Sequence, residues 1–399
     1  MASLLPVADA LARVTAAFEP LPAEQVSLAD ALGRVLAEDV SARLTQPPTA
    51  VSAMDGYAVR TADVATAPVT LRRVGEAPAG GAHDGVLGPG ETVRIYTGGP
   101  VPDGADAIIM QEDTAVDGDQ VTMNLAATQG KFIRPAGLDF ATGDIGLTAG
   151  RRLAPRDIGL AAAMNVPWLA VRHRPRVALL ATGDEVVRPG EPVGPNQIVS
   201  SNTLALAALV SAAGGEPVDL GIALDNAESL ERMAAGAKGA DVLVTTGGAS
   251  VGDHDLVRKV LGKVGFELDF WRIAMRPGKP LIFGLINGTP LLGVPGNPVS
   301  ALVCGMIFLR PAMDTMLAVA DHGGRETAVL GRDLDANDER QDYLRARLEA
   351  DARGDLVATP FSKQDSSMLL TLASSACLVV RAPHAGPVKA GERVEILRL

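Results

Sequence analysis

The 399-residue chain has few cysteines, few aromatic residues and no run of basic residues, and each shortage excludes a class of protein. Its two cysteines, Cys304 and Cys377, stand far apart in apolar segments, which favours buried thiols in a reducing compartment over a disulfide framework. There are 36 Lys and Arg residues against 47 Asp and Glu, and the resulting net charge of −11 repels a polyanion. We therefore expect no nucleic-acid partner.

Long uninterrupted apolar runs are also missing from the sequence. The first residues, MASLLPVADALARVTAAF, have no basic region and carry Asp9 within the apolar part, so they predict an amphipathic helix rather than a signal peptide. The most apolar stretch, residues 290–313, contains the turn sequence PGNP, which would leave unsatisfied backbone groups in a bilayer. We expect no transmembrane helix, no membrane partner and a cytoplasmic location.

The residues that are abundant predict several domains of two kinds. Hydrophobic residues make up 47% of the chain, and 43 glycines and 27 prolines imply many turns between Ala-, Val- and Leu-rich elements. Between residues 176 and 313, short apolar runs alternate with segments of helical period, as in a doubly wound α/β domain. Alternating strands separated by Pro and Gly predict two small β domains, at about residues 52–144 and 327–399. The expected fold class is α/β plus β.

Individual elements can also be predicted. Helices are expected at residues 6–18, 28–40 and 155–163, where they could form a connecting element outside these domains. In the α/β domain, the predicted strands are RVALLAT, EPVDLGIAL, DVLVTTGG, FELDFWRIAM, PLIFGLI and TPLLGVPG. Its predicted helices are SNTLALAALVSAAG, capped by Ser201 or Asn202, NAESLERMAAGAKG, capped by Asp225, and then HDLVRKVLGKVG and PVSALVCGMIFL.

Two glycine-containing turns follow predicted strands of the α/β domain. Gly183, Asp184 and Glu185 follow the first strand, and ligands in open α/β sheets bind outside such carboxyl ends. An ordinary turn with solvated acids is an equal alternative for this segment alone. The second turn, TTGGASVGDHD, favours a phosphate cradle because glycines let backbone N–H groups approach an anion before a helix, although it matches neither GxGxxG nor the P-loop pattern. Its candidate binding residues are Gly247, Gly248, Ser250 and Gly252.

Acidic residues after several strands suggest a divalent cation. Asp225, Asp253 and Asp255 join Asp184 and Glu185 at the expected crevice, and Mg²⁺ binds one or two carboxylates together with substrate oxygens and water. Asp225 is predicted as a helix N-cap and Asp253 as a cap or a solvated acid. Glu185 and Asp255 are therefore the candidate metal ligands.

Cationic and helix-entry segments suggest sites for anions. In WRIAMRPGKP, strand alternation places Arg272 and Arg276 on one face, with Lys279 in the following turn, so the group could bind an oxyanion or form a solvated basic edge. The segment GVPGNPVS offers a rigid loop before a helix N-terminus, a second anion-accepting position. The residues of this loop are Pro295, Gly296, Asn297 and Pro298.

An ordered set of motifs, SAMDGYAVR, TGGPVPDGADAIIMQED, IRPAGLD, ATGDE, TTGGASVGDHD, RPGKP and GVPGNPVSA, resembles the molybdopterin molybdenumtransferase family of the MoeA type, similar to the C-terminal domain of gephyrin. The resemblance spans nearly the whole chain. It implies an elongated homodimer whose active site is completed by the partner's β domain. The implied domains are a helical connecting domain (1–51 with 144–172), a small β domain (52–143), an α/β molybdopterin-binding domain (173–321) and a C-terminal β-barrel-like domain (322–399).

The resemblance also implies the chemistry, namely Mg²⁺-dependent hydrolysis of adenylylated molybdopterin with insertion of molybdate and release of AMP. Carried over by motif, the catalytic positions are Asp55, Thr97, Asp139, Glu185, Asp225 and Asp255. The implied oxyanion positions are Arg272, Arg276, Lys279, Arg340, Arg345 and Ser366. The family often has lysine where this chain has Arg272 and Arg276, and Ser367 could take the place of Ser366. Molybdopterin adenylyltransferase and molybdoenzyme chaperones are further implied partners.

Three other readings of the motifs stay open at this point. A related α/β domain occurs in proteins that adenylylate the pterin, although the two β domains and SAMDGYAVR argue against that step. The chain could instead be a scaffold or pterin carrier without enzyme activity. Tungstate is nearly isosteric with molybdate and could be the natural oxyanion.

Overall fold

The computed structural model describes residues 4–247, 265–321 and 324–399. Its α-helices are α1 (Val7–Ala16), α2 (Pro155–Ala163), α3 (Asn202–Ala212), α4 (Ala227–Ala234), α5 (Pro298–Met316) and α6 (Leu369–Ala373). Helix α5 contains a π-helical segment at Gly305–Leu309. The helices predicted at residues 6–18 and 155–163 are thus confirmed as α1 and α2. The predicted helix HDLVRKVLGKVG lies outside the described residues.

The helix predicted at residues 28–40 is wrong, because only a single 3₁₀ turn, Leu28–Asp30, forms there. Gly33 follows with a φ of 75°, a left-handed conformation that ends any helix. The next backbone N–H groups then pair with distant segments, as when Leu36 N donates to Arg151 O at 3.0 Å. Tertiary hydrogen bonds replace the local helix ladder in this segment.

The N-terminal part of the chain contains one large sheet and several short ribbons. The strands are β1 (Ala23–Ser27), β2 (Val40–Ser41), β3 (Val51–Ser52), β4 (Gly56–Val59), β5 (Val69–Ala77), β6 (Glu91–Ile95), β7 (Ala107–Met110), β8 (Thr114–Asp117), β9 (Gln120–Met123), β10 (Ile133–Arg134), β11 (Ile145–Leu147) and β12 (Trp168–Arg172). Strands β4 to β9 form a six-stranded sheet in the order β7-β4-β6-β5-β9-β8. Antiparallel pairs β1–β12, β2–β11 and β3–β10 join the segments on either side of this sheet.

The α/β domain contains a six-stranded mixed sheet. The strands of this part of the chain, three of which lie outside the main sheet, are β13 (Arg176–Thr182), β14 (Val186–Val187), β15 (Ile198–Val199), β16 (Glu216–Ala223), β17 (Val242–Thr246), β18 (Phe266–Trp271), β19 (Met275–Arg276), β20 (Ile282–Ile286) and β21 (Thr289–Val294). The main sheet has the order β16-β13-β17-β21-β20-β18, in which the first four strands are parallel and the last two pair antiparallel. Helices α3 and α5 cover one face and α4 the other, so the doubly wound arrangement is confirmed.

The predicted strand FELDFWRIAM is divided in the structure. Strand β18 ends at Trp271, and Arg272 has a φ of 69°, so alternation does not continue to Arg276. The chain then leaves the main sheet, and β19 pairs with the C-terminal domain. The expectation that Arg272 and Arg276 share one strand face is therefore wrong.

The C-terminal domain closes into a barrel. Its strands are β22 (Glu326–Leu330), β23 (Gln341–Ala350), β24 (Leu356–Pro360), β25 (Cys377–Arg381) and β26 (Arg393–Arg398). They pair in the order β23-β24-β22-β26-β25, and β25 also pairs with β23, which completes the ring. Strand β19 extends this ring by pairing parallel to β23.

Helix α5 is long and apolar enough to span a membrane, with 19 residues and a mean hydropathy of 1.3. Inside the protein, however, 72% of its most apolar window is buried. It packs with α1, α3 and the β13–β17–β21 face in the principal core. The apolar character of α5 is therefore accounted for by the core of the α/β domain.

Candidate active site

A cavity of about 610 Å³ opens at the carboxyl ends of the parallel strands β13, β17 and β21. We call it the Glu185 cavity. Its lining residues are Thr182, Glu185, Val186, Ile198–Asn202, Thr246, Gly247, Pro280, Pro295–Pro298 and Ser367. This is the edge at which open α/β sheets bind ligands, and a volume of this size suits a dinucleotide-like molecule.

Two glycines at strand ends beside the Glu185 cavity have positive φ angles, and Gly247 lines the cavity itself. Gly247 has a φ of 92°, and a Cβ atom there would lie 2.5 Å from the Thr182 carbonyl oxygen. At Gly183, with a φ of 139°, a Cβ would lie 2.6 Å from the Glu185 carboxylate. The glutamate side chain therefore folds back over Gly183, and any other residue at either position would be strained or would clash.

The ends of two helices meet on one wall of this cavity. Asn202, the first residue of α3, donates from Nδ2 to Gly296 O at 2.7 Å, which ties α3 to the turn that precedes α5. Ser201 precedes α3 but makes no side-chain capping bond. The early N–H groups of α3 and their partial positive charge therefore add to the field at the cavity. Helix α5 begins at Pro298, as expected for a proline in a first turn.

The C-terminal barrel supplies the opposite rim of the Glu185 cavity. Asn297 Nδ2 donates to Ser366 Oγ at 2.7 Å, and Val299 N donates to Ser366 O at 3.1 Å. Ser366 thus satisfies a free N–H of α5 that the side chain of Asn297 does not cap. Ser367 lines the cavity itself, and its hydroxyl donates to Asp365 at 2.6 Å. The sequence could not distinguish Ser366 from Ser367 as the site serine. In the structure, Ser367 lines the cavity, whereas Ser366 contacts Asn297 at its wall.

Arg345 holds the loop that bears these serines. Its side chain is 1% exposed, and its guanidinium donates to Gln364 Oε1 and to the Asp365 and Met368 carbonyl oxygens. Burial lowers the pKa of Arg345. With Nε and Nη1 bonded to the 364–368 loop, this arginine positions that loop, and it is not among the described residues that line the cavity. The expectation that it binds an oxyanion directly is corrected in that respect.

The predicted cations divide into paired and free side chains. Arg276 donates to Asp338 and Asn337 at 3.1 Å each and forms an ion pair with Asp342, so its guanidinium fastens β19 to the barrel. Arg340 also pairs with Asp338.

Arg272 and Lys279 differ from that pair. Arg272 stacks on Trp271 with Cζ 3.7 Å from the ring centroid. In the described part of the chain, Lys279 is exposed and its ammonium has no side-chain partner. It stands one residue before Pro280, which lines the Glu185 cavity, and is the cation best placed to meet an anion there.

The acidic residues of the α/β domain gather at the same edge. Asp225 N donates to Asp184 Oδ1 at 3.0 Å, which brings the ends of β13 and β16 together. The prediction that Asp225 caps α4 is wrong. The N-cap of α4 is Asn226, whose side chain accepts the hydrogen bond from Ser229 N at 2.9 Å.

Several predicted site residues lie outside the described residues: Gly248, Ser250, Gly252, Asp253 and Asp255. Among the residues that are described, no three His, Cys, Asp or Glu side chains cluster as a metal site. Glu185 is therefore the predicted metal ligand whose position the structure gives. Its carboxylate lines the cavity.

Asp55 and Thr97 form a tight pair in the N-terminal β sheet. Asp55 Oδ1 accepts hydrogen bonds from Thr97 N at 2.6 Å and from Thr97 Oγ1 at 2.8 Å. These two bonds hold the pKa of Asp55 below its usual value, with a smaller contribution from Arg94. Both residues are exposed, so the carboxylate stays ionised and open to solvent at neutral pH.

Near this pair, a second cavity of about 870 Å³ is lined by Arg134, Asp139 and Gly98, the residue after Thr97. Among the described residues that line the Glu185 cavity, none comes from segment 52–143. Within one chain, the predicted catalytic residues therefore fall into two separate groups.

Sequence reasoning missed several residues of the Glu185 cavity. Thr182, Thr246 and Pro280 line it as members of the motifs ATGDE, TTGGASVGDHD and RPGKP, yet they were not named as site residues. The other missed lining residues, which lie outside the motif set, are Val186, Ile198, Val199 and Ser200. The position of Thr182 and Thr246 at strand ends was a usable signal, because strands of a parallel sheet end at one edge. The short parallel pair β14–β15 gave no such signal, since two-residue strands have no detectable period.

Three family models match successive parts of the chain and together span most of it. They describe the MoeA N-terminal region (domain I and II) at residues 5–165, a probable molybdopterin binding domain at residues 178–315, and the MoeA C-terminal region (domain IV) at residues 327–399. Apart from Ser367, the residues that line the Glu185 cavity lie in the second of these. Fold and cavity thus define a multidomain protein built around an α/β domain of the molybdopterin-binding class.

Whole-chain similarities narrow this class to one family. Molybdopterin molybdenumtransferase 2 of Mycobacterium tuberculosis is 37% identical over 93% of this chain and 94% of its own length. The Haemophilus influenzae molybdopterin molybdenumtransferase is 33% identical over 94% of each chain. A crystal structure of the molybdopterin biosynthesis MoeA protein from Pyrococcus horikoshii, 27% identical, superposes over 100% of both chains with a TM-score of 0.86. The chain belongs to the MoeA-type molybdopterin molybdenumtransferase family.

Proposed function

We propose that the protein is a molybdopterin molybdenumtransferase, which cleaves adenylylated molybdopterin to release AMP and inserts molybdate into the pterin dithiolene. The observation that carries the proposal is the Glu185 cavity. It lies at a sheet edge, with the first turn of α3 directed at it and glycine backbone on its floor. Backbone N–H groups and a helix N-terminus favour a pyrophosphate, because they offer donors without the crowding of side chains.

The residues present are compatible with one Mg²⁺ ion held partly by substrate. Glu185 provides a hard carboxylate oxygen at the cavity, and Mg²⁺ is usually held by one or two carboxylates with phosphate oxygens and water. When bound there, the cation would offset carboxylate–phosphate repulsion and polarise the pyrophosphate. Asp255 is proposed from its motif as the second ligand. The other groups act by orientation: Asn202 and Asn297 fix the turn before α5 through their hydrogen bonds.

The two separate groups of acids are explained by a homodimer. Asp55 and Thr97 are ordered by each other, yet the Glu185 cavity of the same chain is lined by other segments. We propose that the Asp55-bearing domain of one subunit faces the Glu185 cavity of its partner. The ionised Asp55 carboxylate would then orient water for the cleavage.

The oxyanion is proposed to enter between the Lys279 turn and the serine loop. Lys279 provides an exposed ammonium that no side chain of the described residues pairs with, and Ser366 and Ser367 provide hydroxyl groups at the facing rim. Molybdate is a dianion, so one cation and several neutral donors suit it better than a fully paired guanidinium such as Arg276. Tungstate, being nearly isosteric, serves as the competing oxyanion in the test.

The proposal is tested by supplying adenylylated molybdopterin, Mg²⁺ and molybdate to the purified protein. We expect AMP release together with cofactor that activates a molybdenum-dependent apoenzyme. Replacing molybdate with tungstate separates oxyanion preference from hydrolysis. If the protein binds the pterin tightly but releases no AMP under any of these conditions, it is a carrier and not a transferase.

The same proposal includes the location of the protein and the proteins that supply its substrate and accept its product. We propose a cytoplasmic protein, which fits the two free and buried cysteines. Molybdopterin adenylyltransferase is the expected donor of substrate and molybdoenzyme chaperones are expected acceptors of product, and both can be tested by pull-down with the substrate-bound protein.

A further inference from the structure

Arg94, on strand β6, lies three residues before Thr97, the hydrogen-bond partner of Asp55. It stands directly opposite Tyr57 in the β4–β6 pairing, and Tyr96 directly follows the end of β6. Arg94 Cζ is 5.1 Å from the ring centroid of Tyr57 and 5.0 Å from that of Tyr96. Contact with two aromatic rings restricts a side chain that would otherwise be mobile.

The same guanidinium contacts a backbone carbonyl and a side chain of two residues next to Asp55. Nη1 donates to the carbonyl oxygen of Gly56, the next residue, at 3.3 Å. Nη2 donates to the side-chain oxygen of Gln111. The backbone N–H of Gln111 in turn donates to the carbonyl oxygen of Asp55 at 3.1 Å. Arg94 therefore joins β4, β6 and the end of β7 around a single carboxylate-bearing turn.

We propose that Arg94 is a positioning residue, which fixes the turn around Asp55 so that the carboxylate meets Thr97. The turn has little room to adjust, because a Cβ at Gly56 would lie 2.0 Å from Ile109 O and the strands there are in close contact. Losing the guanidinium frees Gln111 and the Gly56 carbonyl together. The effect on turnover rests on the proposed function, whereas the effect on the Asp55–Thr97 hydrogen bonds does not.

The charges around Arg94 agree with this role. Two acidic residues are neighbours of Arg94, Asp55 in the turn and Glu76, its pairing partner on β5. A third, Glu112, accepts a hydrogen bond from the Gln111 side chain at 3.4 Å. Arg94 is the cation that helps to lower the pKa of Asp55. Without it, the pKa of Asp55 moves towards its usual value, and the acid limb of a pH–rate profile moves upward with it.

A measurement without substrate tests the positioning directly. The Thr97 amide donates to Asp55, so its exchange with solvent, followed by NMR, reports that hydrogen bond. We expect exchange about threefold to tenfold faster in Arg94→Gln, a smaller increase in Arg94→Lys, and no change in the control Arg72→Gln. Arg72 is a suitable control because it forms a Glu91 ion pair in the same sheet, away from Asp55. Unchanged Thr97 exchange in Arg94→Gln would overturn the proposal.

A double-mutant cycle separates positioning from general destabilisation. Arg94→Gln should reduce kcat for AMP release about tenfold with little change in KM, and should have almost no further effect in an Asp55→Asn background. Equal losses in both backgrounds would show that Arg94 acts independently of Asp55, against the proposal. If wild type releases no AMP, the proposed function fails, and the exchange measurement still decides the role of Arg94.

Discussion

The Glu185 cavity and the Asp55–Thr97 pair are built in opposite ways. The cavity is assembled from the ends of three strands, the first turns of two helices and a loop of the C-terminal barrel, segments that span residues 182 to 367. The Asp55–Thr97 pair is formed by two turns on adjacent strands of one sheet. A site made from many segments depends on how domains are fastened, whereas a site within one sheet depends on local hydrogen bonds. The following experiments test this difference, from the largest expected effect to the smallest.

The largest effect is expected from removing either carboxylate. Asp55→Asn and Glu185→Gln should each reduce AMP release at least about 100-fold with the fold intact, because both groups act on the reacting substrate. If the two groups meet across a dimer, mixing the two inactive variants should restore up to about a quarter of the wild-type rate, since half of the dimers then carry one intact site. Sedimentation and circular dichroism provide the controls. No recovery on mixing, although the chains exchange, would place both groups in one subunit.

Arg345→Ala should affect the Glu185 cavity without reaching the Asp55 turn. The change leaves Gln364 and two loop carbonyl groups without donors and an empty space in the barrel, which should lower the free energy of unfolding by roughly 3 kcal/mol. Urea unfolding measures the loss. Arg347→Ala, at an exposed arginine of the same strand, is the matched control. Faster exchange of the Thr97 amide in Arg345→Ala would contradict the independence of the two sites.

Ser366 and Ser367 can be distinguished by their different contacts. Ser366→Ala removes a hydrogen bond from Asn297. The molybdate concentration needed for half-maximal activity should therefore rise about threefold to tenfold, equivalent to about 1 kcal/mol. Ser367→Ala removes a hydroxyl that lines the cavity and is already bonded to Asp365. If Ser367→Ala has the larger effect on molybdate and Ser366→Ala none, Ser367 is the serine that meets the oxyanion.

The smallest effect concerns the ion pairs that fasten the barrel to the α/β domain. The hydrogen bond from Arg340, with Arg276 nearby, lowers the pKa of Asp338 to about 2. A carboxyl with a lowered pKa stabilises the folded state above its unfolded pKa of about 4, and this stability is lost as the pH falls towards 2. Asp338→Asn should therefore lose less stability than wild type between about pH 4 and pH 2. Identical acid unfolding curves would show that the ion pairs of Asp338 do not stabilise the folded state.

Much of the fold was predictable because it depends on short-range pattern. The strands RVALLAT and DVLVTTGG are continuous apolar runs, which parallel strands buried on both faces require, and the structure places them at the centre of the main sheet. Helices α1 and α2 were found from their period for the same reason. The segment 28–40 was misjudged because its hydrogen-bond partners, such as Arg151, are over a hundred residues away.

The sequence by itself determined the family motifs, the division into α/β and β domains, and the residue types that a site for phosphate and an oxyanion requires. Tertiary structure alone decided which of those side chains are available to bind a ligand. Arg276, Lys279 and Arg345 are all predicted oxyanion-binding cations, yet Arg276 pairs with carboxylates of the barrel, Arg345 is buried against a loop, and Lys279 stays exposed. The physical reason is that a charge is available to a ligand only where no nearer group of this protein neutralises it, and which groups are nearest depends on how the domains pack.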